Sequence, residues 1–300
     1  MKPRLLLSLS LSLFGVVGLA TLPAQAQTKL TTQVFTASEP GFMVDSTLVE
    51  GEKEAGLIDG QFTLADTHRL IAMILESKKT LTTVYVTHDH PDHYFGLVAI
   101  KQAFPKAKLV ALPATIAGIK KTAQAKVKQW GPLYGANLTT QPVIPTPLAG
   151  KTITLEGQTL EIHGGVQGDA ADNSYVWIPS IKTAIAGDIV YSGVHPWTAE
   201  TNPASRQAWL KTLDELTALG ATTVVAGHKD AKIKDDPSAI EKTRAYLKAF
   251  DEALAASKTA DELEAKIKAK YPTLALPIIA HIGAAAQFPT AAAPPAPAKK

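Results

Sequence analysis

The feature that most restricts this chain is the run Thr87-His88-Asp89-His90-Pro91-Asp92-His93, set directly behind the stretch Leu81-Thr82-Thr83-Val84-Tyr85-Val86. An apolar, β-branched run of that length predicts a buried strand. The loop leaving the carboxyl end of such a strand is where open α/β sheets place their ligands. His88 and His90 can reach a common ion, and Asp92 with His93 supplies an oxygen and a nitrogen for a second position. Nitrogen and oxygen donors of this kind suit Zn²⁺ ahead of Mg²⁺ or Ca²⁺. A lone His-x-His arises often by chance, whereas His-x-His-x-Asp-His behind a buried strand is specific.

The sequence contains no cysteine, so the chain has neither disulfides nor a thiol nucleophile, and any metal must be held by nitrogen and oxygen. Lys2 and Arg4 precede an apolar run over 5–22, then Pro23 and Ala24-Gln25-Ala26. This pattern predicts an export signal over 1–26, cleaved before Gln27, in preference to an uncleaved anchor. The expected location is the periplasm or outside, with no stable membrane anchor after cleavage. The net charge is +3, two of it in the leader, so the remainder is close to neutral and gives no footprint for nucleic acid. Residues 27–282 are expected to form one domain. The Ala/Pro-rich stretch 283–300 is expected to be a disordered tail.

Along the chain, two strands near 32–35 and 42–49 predict an antiparallel opening, followed by Leu57-Ile58-Asp59. Apolar spacing predicts a helix over 65–79, then the strand and His/Asp loop, a short helix over 96–104 and a strand over 108–112. A helix over 114–130 carries Lys120, Lys121, Lys126 and Lys128, read as a solvated face. Trp130-Gly131-Pro132-Leu133-Tyr134-Gly135 is expected to be a loop, either walling a cleft or only connecting elements. A second strand-rich half follows at 152–155, 160–163, 174–179 and 183–188, then a helix over 209–219, a strand over 222–226 and two closing helices from 237 and 259.

These motifs resemble the metallo-β-lactamase superfamily, whose signature is His-x-His-x-Asp-His after a strand. The resemblance runs from about Thr32 to Ala256 and implies an α/β (α+β) fold, a four-layer αβ/βα sandwich. It implies that Asp59 supports the metal loop, that Asp188 in Ala186-Gly187-Asp188 bridges two ions, and that His228 in Ala226-Gly227-His228 is the last ligand. One station departs from the pattern. Before Ser174-Tyr175-Val176-Trp177-Ile178-Pro179, Asp169 stands where a third histidine of the first site belongs. Either Asp169 ligates through oxygen, or His163 swings in, or the first site is weak and only Asp92, His93 and His228 hold an ion.

The resemblance implies one or two Zn²⁺ ions, two favoured, bound by His88, His90, Asp92, His93, Asp169, Asp188 and His228. Asp92 is expected to orient the attacking water, and His195, seven residues beyond Asp188, to donate a proton or bind substrate. Tyr94 is a further candidate beside the loop; His68 and His281 read as structural or exposed. Branches that need a cysteine ligand are excluded, and RNA-processing branches are disfavoured by charge and export. The expectation is a metallo-hydrolase of a small ester-like substrate: a lactone, thioester, sulfate or phosphate ester, or β-lactam. The competing expectation is an exported metal- or ligand-binding protein of the same fold with weak or no turnover.

Overall fold

The structure, a computed structural model, describes residues 29–288. The expected export signal lies outside the described residues. Among those described, no helix is long and apolar enough to cross a membrane.

The first half opens with β1 (Thr31–Thr36), β2 (Asp45–Glu50) and β3 (Glu54–Ile58), paired antiparallel in that order. Helix α1 (Leu64–Glu76) leads to β4 (Thr80–Val86), α2 (Leu97–Ala103) to β5 (Lys108–Ala111), and α3 (Pro113–Tyr134) to β6 (Thr146–Pro147). These helical crossovers make β3, β4, β5 and β6 parallel, and the sheet runs β1-β2-β3-β4-β5-β6. In the second half come β7 (Thr152–Leu155), β8 (Gln158–Val166), β9 (Asn173–Ile178), β10 (Thr183–Ile185), β11 (Tyr191–Ser192), α4 (Pro203–Ala218) and β12 (Thr223–Val225). Its sheet runs β12-β10-β9-β8-β7, while β11 pairs in parallel with β13 (His228–Lys229) in a separate short ladder. Helices α5 (Ser238–Ala255), α6 (Ala260–Lys270) and α7 (Pro277–Gln287) close the chain.

Strand alternation makes the layers. On β4, Val84 and Val86 face the core shared with α1, α2 and α3, while Tyr85 faces the other sheet. On β10 and β12, Ala184 and Val224 face α4 and α5, while Ile185 and Val225 join Tyr85 between the sheets. The expected αβ/βα sandwich is what forms, with both sheets ending at one common edge.

Two expectations change. Helix α3 continues through Gly131 and Pro132 to Tyr134, where the local sequence suggests a loop. Proline in the last turn forfeits one helix hydrogen bond. Against this, Trp130 and Tyr134 pack on Phe62 with ring centroids 5.9 and 4.9 Å away, which holds the turn. The second change is at the carboxyl end: 283–287 are helical rather than tail. Alanine favours helix, and Gln287 fixes the end by donating to the carbonyls of Thr198 and Thr201 and accepting from buried Arg206.

Candidate metal centre

The common edge gathers the loops after β3, β4, β10 and β12. Asp59, just beyond β3 and buried, accepts hydrogen bonds from the Thr87 backbone N–H, the Thr87 hydroxyl and His93 Nδ1, each at 2.8 Å. The Thr87 hydroxyl, with its one O–H already donating to Asp59, can only accept from His88 Nδ1, 3.0 Å away. One carboxylate thus leaves Nε2 as the bare nitrogen of both neutral His88 and neutral His93. His228 is oriented in the same way, its Nδ1 donating to the Phe42 carbonyl at 2.6 Å. Gly227 allows the close approach that follows: a Cβ there would stand 2.0 Å from Asp188 Oδ1.

The ring nitrogens and carboxylates meet in two clusters, His88 with His90, Asp169 and Asp188, and Asp92 with His93 and His228. Within each, the donor atoms lie within 4.8 Å of one another. All seven residues expected as ligands are brought together. Asp169 is fully buried, its Oδ2 3.0 Å from His90 Nδ1 and its Oδ1 accepting from Asn173. His163 takes no part: it stacks on Tyr175 at 4.7 Å and faces Glu161, so that alternative is set aside.

The donors fit a cation. Nε2 of His88 and of His93 and Oδ1 of Asp188 are buried without a hydrogen-bond partner, although His93 Nε2 and Asp188 Oδ1 stand only 3.1 Å apart. Buried polar atoms left unpaired are costly, and an ion between them removes that cost. Electrostatics agrees. Burial would push the Asp188 carboxyl up, but the rings of His228, His93 and His88 hold it well below the usual range. Burial likewise opposes charge on His228, yet Asp188 and Asp92 carry it up to about 10. His93 is raised against burial by Asp188, Asp59 and Asp92, and His90 against burial by Asp169 and Glu200. Asp169 is pushed up to about 6, burial outweighing the pull of His90. His88 is held low, chiefly by burial. The raised rings of His90, His93 and His228 favour protons where a metal would sit, so metal uptake there must release them.

The clusters floor a cleft of about 600 Å³ that is open to solvent, and Trp130, Trp197 and His195 stand in its wall. Tyr134 instead donates its hydroxyl to the Pro40 carbonyl, and Tyr94 is buried in the core of the first sheet. His68 and His281 are exposed. His195 is buried, with Nδ1 3.0 Å from the Tyr246 hydroxyl. That contact is the only hydrogen bond of the phenol among the described residues, so Tyr246 donates and neutral His195 carries its proton on Nε2. Lys126 is half-buried in the cleft wall, not on the solvated face with Lys120, Lys121 and Lys128.

Two groups escaped the sequence reading. Tyr191 shares its hydroxyl proton between Asp188 Oδ2 at 2.8 Å and Asp169 Oδ2 at 3.2 Å, and its ring lies parallel to that of His228. Its place three residues beyond Asp188 was the available signal. Glu200 Oε1 reaches His90 Nε2 at 3.4 Å and Lys126 Nζ at 3.6 Å. Nothing in the irregular stretch around Glu200 marked it.

Residues 40–228 match the family model described as the metallo-beta-lactamase superfamily. A curated relative, the metallo-beta-lactamase type 2 of Bacteroides fragilis, is 25% identical over 215 residues, covering 69% of this chain and 78% of its own. A solved metallo-beta-lactamase family protein from Thermus thermophilus superposes with a TM-score of 0.61 at 24% identity, over 86% of this chain and 91% of that one. A metallo-beta-lactamase from Pontibacter korlensis gives 0.54 at 20% identity, over 74% and 99%. The matched stretch opens just before Phe42, whose carbonyl orients His228, and closes on His228 itself. It encloses both clusters, and with the layered fold it shows that this chain belongs to the metallo-β-lactamase superfamily.

Proposed function

We propose that the chain is an exported zinc-dependent hydrolase of a small ester-like substrate. The observation that carries this is the convergence of two buried His/Asp clusters, with bare nitrogens and an unpaired carboxylate oxygen, on the floor of one cleft. His88, His90, Asp169 and Asp188 would hold one ion; Asp92, His93 and His228, sharing Asp188, would hold a second. When bound, such ions polarise a substrate oxygen and bring water to its deprotonated form near neutral pH.

The chain's own groups do the rest. Asp92, only partly buried and facing the cleft, orients the attacking water and accepts its proton. Tyr191 fixes the carboxylates of Asp169 and Asp188 relative to each other. His195 presents an Nε2–H donor for a substrate oxygen. A carboxylate at 169 in place of an imidazole adds one negative charge to the donors, which makes bound ions less Lewis acidic and alters metal preference or lowers hydrolytic power.

The leader-like amino terminus supports a periplasmic or secreted location, and the near-neutral charge supports a small-molecule partner over nucleic acid. The test is a metal count on purified protein beside a panel of lactone, thioester, phosphodiester, sulfate ester and β-lactam substrates. The expected result is two zinc ions and chelator-sensitive turnover of at least one substrate. No turnover of any, with at most one tightly held ion, would refute the hydrolase and leave an exported metal-binding protein.

A further inference from the structure

We infer that the cleft takes an ester that is uncharged around its scissile bond, such as a lactone, simple carboxylic ester or thioester with an apolar arm, and disfavours substrates bearing a carboxylate, sulfate or phosphate. This rests on the hydrolase reading and narrows it, since β-lactam carboxylates and sulfate or phosphate esters fall on the disfavoured side.

The first argument is the cation inventory. Lys126 is the one lysine or arginine among the residues lining the cleft, and its ammonium lies 3.6 Å from Glu200. An anionic substrate group would find this cation already engaged and the Glu200 carboxylate beside it. The second argument is the charge of the floor. Asp92, Asp169 and Asp188 bring three carboxylates to the two clusters, and Asp59, bonded to His93, makes a fourth, with Glu200 already set against Lys126. Two divalent ions would balance these and leave no positive excess to attract an anion. Of these, Asp169 goes beyond the superfamily pattern, standing where that pattern has a neutral ring.

The third argument is what the remaining wall offers. His195 supplies an uncharged donor, because Tyr246 fixes its tautomer and burial holds the ring down to about 4. Phe42, Trp130, Trp197, Leu276 and Ile279 supply apolar surface. Apolar walls with a few placed polar groups suit a neutral ligand with a hydrophobic arm.

The test compares paired substrates on the zinc-loaded full chain: p-nitrophenyl butyrate against p-nitrophenyl hydrogen succinate, with p-nitrophenyl phosphate, p-nitrophenyl sulfate and nitrocefin alongside. The butyrate is expected to exceed the succinate in kcat/KM by roughly tenfold or more, as one unfavourable charge contact implies. Glu200→Gln, which frees Lys126, is expected to raise the succinate-to-butyrate ratio by roughly tenfold, mostly through KM. Equal or better use of the succinate or nitrocefin by the wild type would overturn the inference and leave the hydrolase standing, and so would an unmoved ratio in Glu200→Gln. If nothing is turned over the hydrolase falls, and the charge preference is read from binding of a fluorescent uncharged amide and its carboxylate analogue. Tighter binding of the amide upholds it and tighter binding of the carboxylate overturns it.

Discussion

Replacing Asp59 by asparagine changes one atom of a buried side chain, yet the hydrogen bonding dictates a large effect on metal. In the native loop Oδ1 receives the Thr87 N–H, and Oδ2 receives both the Thr87 hydroxyl and His93 Nδ1. An asparagine must keep its oxygen on the Thr87 N–H, so its NH₂ replaces Oδ2. That NH₂ donates where the carboxylate accepted. His93 Nδ1 must then accept, and its proton moves to Nε2. The Thr87 hydroxyl, denied its acceptor, turns its proton onto His88 Nδ1, and that ring inverts as well. Both clusters lose a bare nitrogen from one substitution outside either. Removing the hydrogen-bond partner that orients a metal-binding histidine typically costs ~10–100-fold in metal affinity. Folding stability of the metal-free chain should fall by only ~1–3 kcal/mol, the scale of a disturbed buried hydrogen bond. The assay is competition for zinc against a chromophoric chelator, with circular dichroism to verify the fold. Asp59→Asn binding both ions within about threefold of wild type, below the expected range, would refute the tautomer argument.

Asp169→Ala should weaken retention of at least one ion about tenfold or more, read by metal analysis after dialysis; unchanged stoichiometry and activity would rule Asp169 out as a ligand. His195, held down to about 4 by burial, stays neutral above about pH 5, so the pH–rate profile should show no acid limb near 6.5 that disappears in His195→Gln. Asp45 is pushed from 3.8 up to about 8, burial outweighing Lys229. Its native form holds the proton more tightly than the unfolded chain. The wild type should therefore lose urea stability relative to Asp45→Asn as pH rises from about 4 to 8, at matched zinc, and parallel curves would contradict this. A chain ending at residue 282 should lose about 2 kcal/mol, because Gln287 no longer pairs with Arg206 and Ala284 leaves its core; an unchanged urea midpoint would return 283–287 to the tail.

The layers were legible because period-two burial writes itself into β-branched runs. The stretch over 81–86 announced a strand with both faces covered, and β4 has core on both sides. Boundaries were harder where local and tertiary preferences disagree. Gly131-Pro132 has the local signature of a loop, and tertiary contacts, above all the aromatic packing against Phe62, distant in sequence, hold that turn helical. The Ala/Pro-rich end misled in the opposite way. Its alanines run through the whole stretch while its prolines begin only at Pro289, and the part before Pro289 has a partner in the loop preceding α4.

The candidate site divides along the same line. His88, His90, Asp92 and His93 are adjacent in sequence because one loop carries them, and Asp188 and His228 each end a short strand motif. Tyr191 is signalled only by its place three residues beyond Asp188, and Glu200 belongs to no period and no motif, so the fold alone brings it to His90. Tyr191 ties the out-of-pattern Asp169 to Asp188 through one shared proton, so the substituted carboxylate is held where a ligand belongs. Glu200 engages the ring of His90 on one side and the single cleft lysine on the other. The sequence therefore reveals the ligand stations common to the superfamily, while the contacts of Glu200 with His90 and Lys126 join residues dozens of positions apart.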